Sequence, residues 1–298
     1  MNALLALPNQ FEVVSLARTK SVSKSIYQDF TRRGASVQNA NFKDPEALVP
    51  LLKGADVVIS VVTMAEKEVQ DTLIDASHKA GVGRFVPSFF ATVSPPRGVM
   101  PAREKKEDSL DKIKCPYLPY TAIDVGWWYQ FSVPRVPSSK LDSVVSFPET
   151  TIAGDGNTKT ALTDLVDIGK YVARIIGPAD TEQAGICLRR DDDPESYLEL
   201  EIEQSLSSAG KTLAKNPMDM DTIVSKSMLE YKYSRWIRGD NTPEHAEYLG
   251  YLNAKDLYPD FKYKTIDDCL RELMEGNRVA NLYVGRDHVL KTTADLKI

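Results

Sequence analysis

Four short apolar runs recur along the N-terminal part of the chain, each set off from the next by helical punctuation, and this alternation constrains the fold more than any other feature. The runs are FEVVSLAR (Phe11 to Arg18), DVVISVV (Asp56 to Val62), RFVPS (Arg84 to Ser88) and YTAIDVG (Tyr120 to Gly126). Between them, Asp44 and Pro45 supply a capping residue and a proline at the first helical position, and LVPLLKG closes that helix at Gly54. Thr63 and Glu66 make a capping box ahead of the apolar series Val69, Leu73, Ala76 and Ala80, which stops at Gly81. Pro101 to Ile113 predicts a further helix. Strands apolar on both faces and joined by helices belong in a parallel sheet covered on both sides, the doubly wound α/β arrangement. Met1 to Leu7 reads as the end of an amphipathic helix.

With 298 residues, 42% hydrophobic and 27% charged, the chain has ample material for a core. Beyond Val144 the rhythm changes: VVSF and TTIAGDGN are followed by a helix from Asp164 to Ile176, a short run at Ile186, and then mostly helical segments, EIEQSLSSAG, MDTIVSKSMLEYKYSRW, TPEHAEYLGYL and TIDDCLREL. The expected organisation is an N-terminal α/β domain over residues 1–140, a smaller, mostly helical lobe over 141–276 with some elements returning to the sheet, and an irregular polar tail over 277–298. The net charge of -5 comes from interspersed Lys+Arg and Asp+Glu, which argues against a nucleic-acid partner. Three cysteines and three histidines are scattered without zinc-ligand spacing, so no metal is expected. No apolar run approaches the ~18 residues of a membrane span, and the N-terminus lacks a leader pattern. A cytoplasmic protein without a membrane partner is the expectation.

Several local patterns invite chemistry. GDGNTK (Gly154 to Lys159) lacks the helix and third small residue of a phosphate loop and reads as a hairpin turn. Tyr251-x-x-x-Lys255 has the spacing of a tyrosine-lysine proton-transfer pair but lies in the C-terminal lobe, where it reads as helix surface. REKKED (Arg103 to Asp108) reads from charge pattern alone as a solvated helix face. In ARTK (Ala17 to Lys20), Arg18 and Lys20 follow the first visible strand, where a dinucleotide's adenosine ribose would rest. Their charges suit a 2′-phosphate and so NADP, and equally suit a solvated loop.

The succession VVSLAR, FKDPEALVPLLKGADVVISVV, LIDASHKAGVGRFVPSFF, LPYTAIDVGWW, GDGNTKTALTDLVDIGKYVARII and LYPDFKYKTIDDCLREL resembles the NmrA-like and isoflavone-reductase-like proteins, atypical short-chain dehydrogenases, in a form similar to the fungal branch. The resemblance runs through Gly276. It implies a Rossmann domain with a small substrate lobe, an NADP cofactor, and reduction of activated double bonds or ether-type linkages in aromatic metabolites. An NADP-dependent oxidoreductase of an aromatic or polyketide-type small molecule, in secondary metabolism and acting as a monomer or homodimer, is the resulting expectation. The family's general acid/base is a lysine. Counting back from Pro119 gives Lys106, with Lys105 as the register alternative. A lysine desolvated beside the nicotinamide would have its pKa drawn down and could protonate the substrate as hydride arrives. By the same resemblance Arg18 and Lys20 hold the 2′-phosphate, Asn41 and Phe42 flank the adenine, and Ser60, Val61 and Val62 line the ribose side. Phe90 and the turn from Gly126 to Trp128 border the nicotinamide pocket, while Trp127, Trp128 and Tyr129 face a flat substrate.

Three departures qualify this picture. The family's PSEFG is PSFFA here, which puts Phe89 in place of a carboxylate and makes the pocket more apolar. The family's acidic residue after its third strand matches Asn41. The first strand and the G-x-x-G-x-x-G loop, which would precede Met1, are not in this sequence. Without two or three charge-assisted hydrogen bonds from such a loop, each roughly 1.5 to 3 kcal/mol, the expected loss is about 4 to 8 kcal/mol, roughly a thousandfold or more in cofactor affinity. The missing strand would be a central one, leaving its neighbours' backbone groups unpaired. A non-catalytic NADP-sensing regulator and a degenerate scaffold that binds no dinucleotide are the alternative readings.

Overall fold

Three of the four apolar runs form parallel strands, in two pieces, and the fourth, Tyr120 to Gly126, gives a parallel bridge at Tyr120 and the two-residue strand Ile123–Asp124. The computed structural model of the protein describes residues 1–63, 66–132, 157–177, 185–187, 199–216 and 220–275. Its contacts divide the chain into two units, Met1–Phe89 with Lys105–Ile123 and Val166–Gly185, and Phe90–Glu104 with Asp124–Leu165 and Ile186–Ile298. The first unit therefore takes in a helix from the stretch that the sequence assigned to the lobe.

In the first unit, a short helix α1 (Asn2–Leu5) precedes β1 (Val14–Ala17), α2 (Ser25–Arg32) and β2 (Ser36–Asn39). β1 and β2 pair in parallel from Val14 opposite Ser36 to Ala17 opposite Asn39. Then come α3 (Pro45–Leu52), β3 (Val57–Ile59), α4 (Lys67–Ala80) and β4 (Arg84–Val86), with β3 and β4 again parallel. Phe85 adds a third row to this piece: its N–H donates to the Pro119 carbonyl at 2.7 Å and its carbonyl accepts from Thr121 N–H at 3.0 Å. Among the described residues β1 pairs with β2 alone, β3 with β4, and β4 also with this row, so the doubly wound sheet is present as two parallel segments.

The local signals act as read. The Asp44 carboxylate caps α3 by accepting from the Glu46 and Ala47 N–H groups at 3.0 and 3.4 Å. Gly81, at φ 70° and ψ 37°, ends α4 in the left-handed conformation that glycine adopts without a Cβ penalty. Thr63 and Glu66 meet as expected, although α4 starts at Lys67 with Glu66 itself as N-cap. Leu48, Ile74, Phe85 and Ile113 are fully buried at the centre of one apolar cluster. Each contributes about 1.5 to 3 kcal/mol by leaving water. α5 (Pro101–Lys114) gives its first turn to the second unit and its remainder to the first. α6 (Leu165–Ile175) lies mostly in the first unit, where the Ile175 carbonyl accepts from Arg84 at 3.2 Å.

The second unit contains β6 (Trp127–Trp128), β7 (Leu162–Thr163), α7 (Glu199–Lys215), α8 (Met220–Lys232), α9 (Pro243–Tyr248), β9 (Tyr251–Asn253), α10 (Ala254–Leu257) and α11 (Ile266–Met274), together with β5 (Ile123–Asp124) and β8 (Gly185–Cys187) apart from their first residues, Ile123 and Gly185. β6 and β7 pair in parallel, and β5, β8 and β9 form a three-stranded sheet in that order. Asn241, fully buried, accepts from Val93 N–H at 3.0 Å and donates to Thr160 Oγ1 and the Ala161 carbonyl, both at 2.8 Å. Gly126, at φ 71°, passes so close to this segment that a Cβ would sit 2.4 Å from the Ala161 carbonyl oxygen. Gly126→Ala is expected to cost about 1 to 3 kcal/mol, measured as a lower denaturant midpoint at unchanged slope.

One expectation for this unit is corrected. TPEHAEYLGYL does not remain helical: α9 ends at Tyr248, Gly250 turns the chain at φ 86°, and Tyr251 enters β9 rather than a helix surface. A glycine with positive φ ends helical periodicity whatever the flanking pattern suggests. VVSF, Gly154 and Gly156 of GDGNTK, and the tail from Asn277 lie outside the described residues. No described helix is long and apolar enough to cross a membrane.

Candidate active site

In an open parallel sheet the loops that leave the carboxyl ends of the strands carry the ligand-binding groups, and in the first unit those loops hold most of the predicted residues. Arg18 leaves β1 and forms an ion pair with Glu66. Its guanidinium also lies 5.7 Å from the centroid of the Phe42 ring, which follows β2. Thr19 Oγ1 donates to Asn39 Oδ1 at 2.9 Å, tying the two loops together. Lys20 and Asn41 are exposed, and the Asn41 side-chain oxygen accepts from Lys43 N–H at 3.2 Å. Burial opposes ionisation of Glu66, yet the Thr63 N–H and hydroxyl, together with the Arg18 guanidinium, outweigh it and hold the carboxyl below its ordinary range.

The loops after β3 and β4 lie side by side. Ser60 is 1% exposed and its N–H donates to the Val86 carbonyl at 2.8 Å, whereas Val61 is 73% exposed at the strand end. Ser88 Oγ donates to the Val62 carbonyl at 2.8 Å, and Ser88 N–H donates to the Gln70 side-chain oxygen at 2.7 Å. Against these loops α5 presents Lys106. Its ammonium donates to the Ser88 carbonyl at 2.7 Å and to the Phe89 carbonyl, 5.4 Å from the centroid of the Phe89 ring. Lys105 is exposed. Val62, Thr63, Lys67, Gln70, Ser88, Lys105, Lys106 and Ser109 line a cavity of about 30 Å³, room for roughly one water.

Of the residues expected to border substrate, Phe89 is 1% exposed within the first unit's core. Phe90, Trp127, Trp128 and Tyr129 belong to the second unit. Phe90 has a φ of 33°, uncommon for a residue with a side chain. The Trp127 ring lies 5.5 Å from Tyr231 and 4.3 Å below the Arg235 guanidinium, and Trp128 stacks on Phe131 at 5.2 Å. Tyr129 is 1% exposed against Leu162 and Cys269, and its hydroxyl donates to the Lys264 carbonyl at 3.1 Å. Its side chain is thus part of a core, and the two tryptophans remain half-buried.

The charge run REKKED is not uniformly a solvated face. Arg103 is 3% exposed and donates to the fully buried Asp124 at 2.6 Å and to the Tyr251 hydroxyl at 2.5 Å. Desolvation and then the Asp124 charge push the Tyr231 hydroxyl up to about 12, and the same two causes push Tyr251 higher still. Both tyrosines stay protonated at neutral pH. Sequence reading missed Gln70 as well, although a glutamine in register with Leu73 and Ser77 on the buried face of α4 is a visible anomaly.

The sequence profile of the NmrA-like family matches residues 1–270. The chain belongs to the NmrA-like family. Among the relatives of this NmrA-like protein, the asnovolin J 5′,6′-dehydrogenase of Aspergillus novofumigatus is 37% identical over 298 residues, covering 93% of this chain and 91% of the relative. Pinoresinol reductase 1 of Arabidopsis thaliana is 30% identical over 269 residues, covering 83% of each. The solved leucoanthocyanidin reductase of Vitis vinifera in complex with NADPH is 19% identical with a TM-score of 0.71, over 92% of this chain and 94% of that one. That likeness supports the fold.

Proposed function

We infer that this NmrA-like protein is an NADP-dependent reductase of an aromatic or polyketide-type small molecule, in secondary metabolism. The observation that carries the reading is Lys106, whose ammonium is turned into the strand-end loops of the first unit and held there by two carbonyls. The names of its relatives describe reduction and dehydrogenation, the two directions of one hydride transfer.

The residues present fit an NADP cofactor laid along the strand ends. A cation beside an aromatic face, Arg18 with Phe42, suits a phosphorylated adenosine, and the exposed Val61 leaves the β3 end open. Arg18 and Lys20 would hold the 2′-phosphate, Asn41 and Phe42 would flank the adenine, and Ser60 to Val62 would line the ribose side. The bound cofactor would supply the hydride.

Lys106 would supply the proton. Its ammonium donates to two backbone carbonyls and faces the Phe89 ring, contacts that suit a charged ammonium. The resting side chain is therefore loaded as a donor, and after giving its proton the amine keeps carbonyl partners while it recharges from solvent. The exposed Lys105 has no such cradle, which favours Lys106 in this role.

Loss of reduced-nicotinamide absorbance, followed with a panel of pinoresinol, a phenylcoumaran ether, an isoflavone and a polyketide-type enone, tests the reading. Turnover of at least one compound, faster with NADPH than with NADH, is expected. Saturable NADPH binding without turnover of any panel member would move the protein to the sensing class. A second expectation concerns Glu66, which occupies the guanidinium that a 2′-phosphate would need. Glu66→Gln is expected to tighten binding of 2′,5′-ADP about two- to fivefold, the worth of an exposed ion pair, with 5′-AMP unchanged in calorimetry. Equal changes for both nucleotides would remove Glu66 from 2′-phosphate selection.

A further inference from the structure

Gln70 buries a carboxamide on the inner face of α4, with 4% of its surface exposed, where an apolar residue would pack at less cost. Its side-chain oxygen accepts from Ser88 N–H at 2.7 Å. The Ser88 hydroxyl is committed as well, to the Val62 carbonyl at 2.8 Å. With its N–H and its side chain both anchored, the residue has one polar group left, its carbonyl, and that carbonyl accepts from Lys106 Nζ at 2.7 Å. The next residue repeats the pattern: Phe89 N–H folds back to the Pro87 carbonyl at 2.7 Å while the Phe89 carbonyl meets the same ammonium. Phe90 then leaves the turn at φ 33°, a conformation that persists only where neighbouring contacts enforce it.

We propose that Gln70 and Ser88 are positioning residues that set the protonation and placement of Lys106 by fixing the two carbonyls that hold its ammonium. The proposal rests on Lys106 as the proton donor. Without the Gln70 acceptor, the half-buried Ser88 N–H loses its partner, and the Pro87–Ser88 peptide can rotate to find another. That rotation moves the Pro87 carbonyl away from the Phe89 N–H that donates to it, which frees the Ser88–Phe89 peptide to swing the Ser88 carbonyl off the ammonium, so the charged form loses its preference. The lysine then becomes more readily neutral, a better nucleophile and a less regulated donor.

Trace acetylation with acetic anhydride across a pH series, read residue by residue by peptide mass spectrometry, tests this without a substrate. The exposed Lys105 serves as the internal control. Lys106 in the native protein is expected to react at least about tenfold more slowly than Lys105 at neutral pH, with Gln70→Leu raising its rate about fivefold or more. Gln70→Glu, which keeps an acceptor oxygen, is expected to restore slow labelling. Ser88→Ala removes only the anchor to Val62, and a smaller rise, about twofold, is expected there, which keeps the test available if Gln70→Leu folds poorly. Lys106 labelling unchanged in folded Gln70→Leu and in Ser88→Ala, or fast labelling that persists in Gln70→Glu, would overturn the proposal. The failure of the donor reading itself would look different: full turnover by Lys106→Ala, whatever the labelling shows. In an active preparation Gln70→Leu is further expected to lower kcat and displace the basic limb of its pH profile, with the KM for NADPH unchanged.

Discussion

Lys106→Ala is expected to lower kcat by about 10² to 10⁴, the usual contribution of a positioned general acid, while the KM for NADPH changes little. The side chain is half-buried, and it donates to two backbone carbonyls in loops that border a small cavity. Water can take the vacated position, so the melting temperature should move by no more than a few degrees. That separation of large kinetic loss from small stability loss is the signature to look for. Lys106→Arg should be nearly as inactive as the alanine variant: a guanidinium keeps the charge yet does not release a proton at neutral pH. Substantial activity in the arginine variant would reduce Lys106 to an electrostatic group.

Asp124→Ala is expected to destabilise the protein by about 3 to 5 kcal/mol, because it breaks a buried ion pair with the Arg103 guanidinium by removing one partner. The two side chains are 3% and 0% exposed, so solvent does not screen the pair. The second Asp124 oxygen, Oδ1, is buried and makes no hydrogen bond of its own, so the attraction to Arg103 does not come with full satisfaction of the carboxylate. Replacing both charges by apolar residues of similar size, Arg103→Met with Asp124→Leu, should therefore recover most of the loss. Guanidinium chloride unfolding of the wild type, the single variant and the double variant makes the comparison. A double variant as unstable as Asp124→Ala would show that packing or the Tyr251 contact, rather than the broken ion pair, sets the cost.

What the sequence discloses here is what depends on neighbours a few residues away. The Asp44 cap, the Gly81 stop and the apolar runs of β1, β3 and β4 are all local, and each appears where it was read. Thr265 and Asp268 form a reciprocal capping box at the start of α11, on a segment the pattern marked as helical. Arg103 reads as part of a solvated run because its partner, Asp124, lies far along the chain and on another element. Tyr251 lies in a strand because Gly250 breaks a pattern whose apolar spacing alone continues the helix. Lys106 came from family resemblance, since nothing in the spacing of REKKED separates it from Lys105. What separates them is the turn at Ser88 and Phe89, remote in sequence and held in place by Gln70.

The central claim, a chain that lays NADPH along the strand ends and uses it, is tested most directly by quenching of intrinsic tryptophan fluorescence during titration with NADPH and, in parallel, NADH. Saturable quenching, tighter for NADPH than for NADH and with that preference lost in Arg18→Ala, is the predicted result. No saturable quenching up to millimolar concentrations of either cofactor would contradict it.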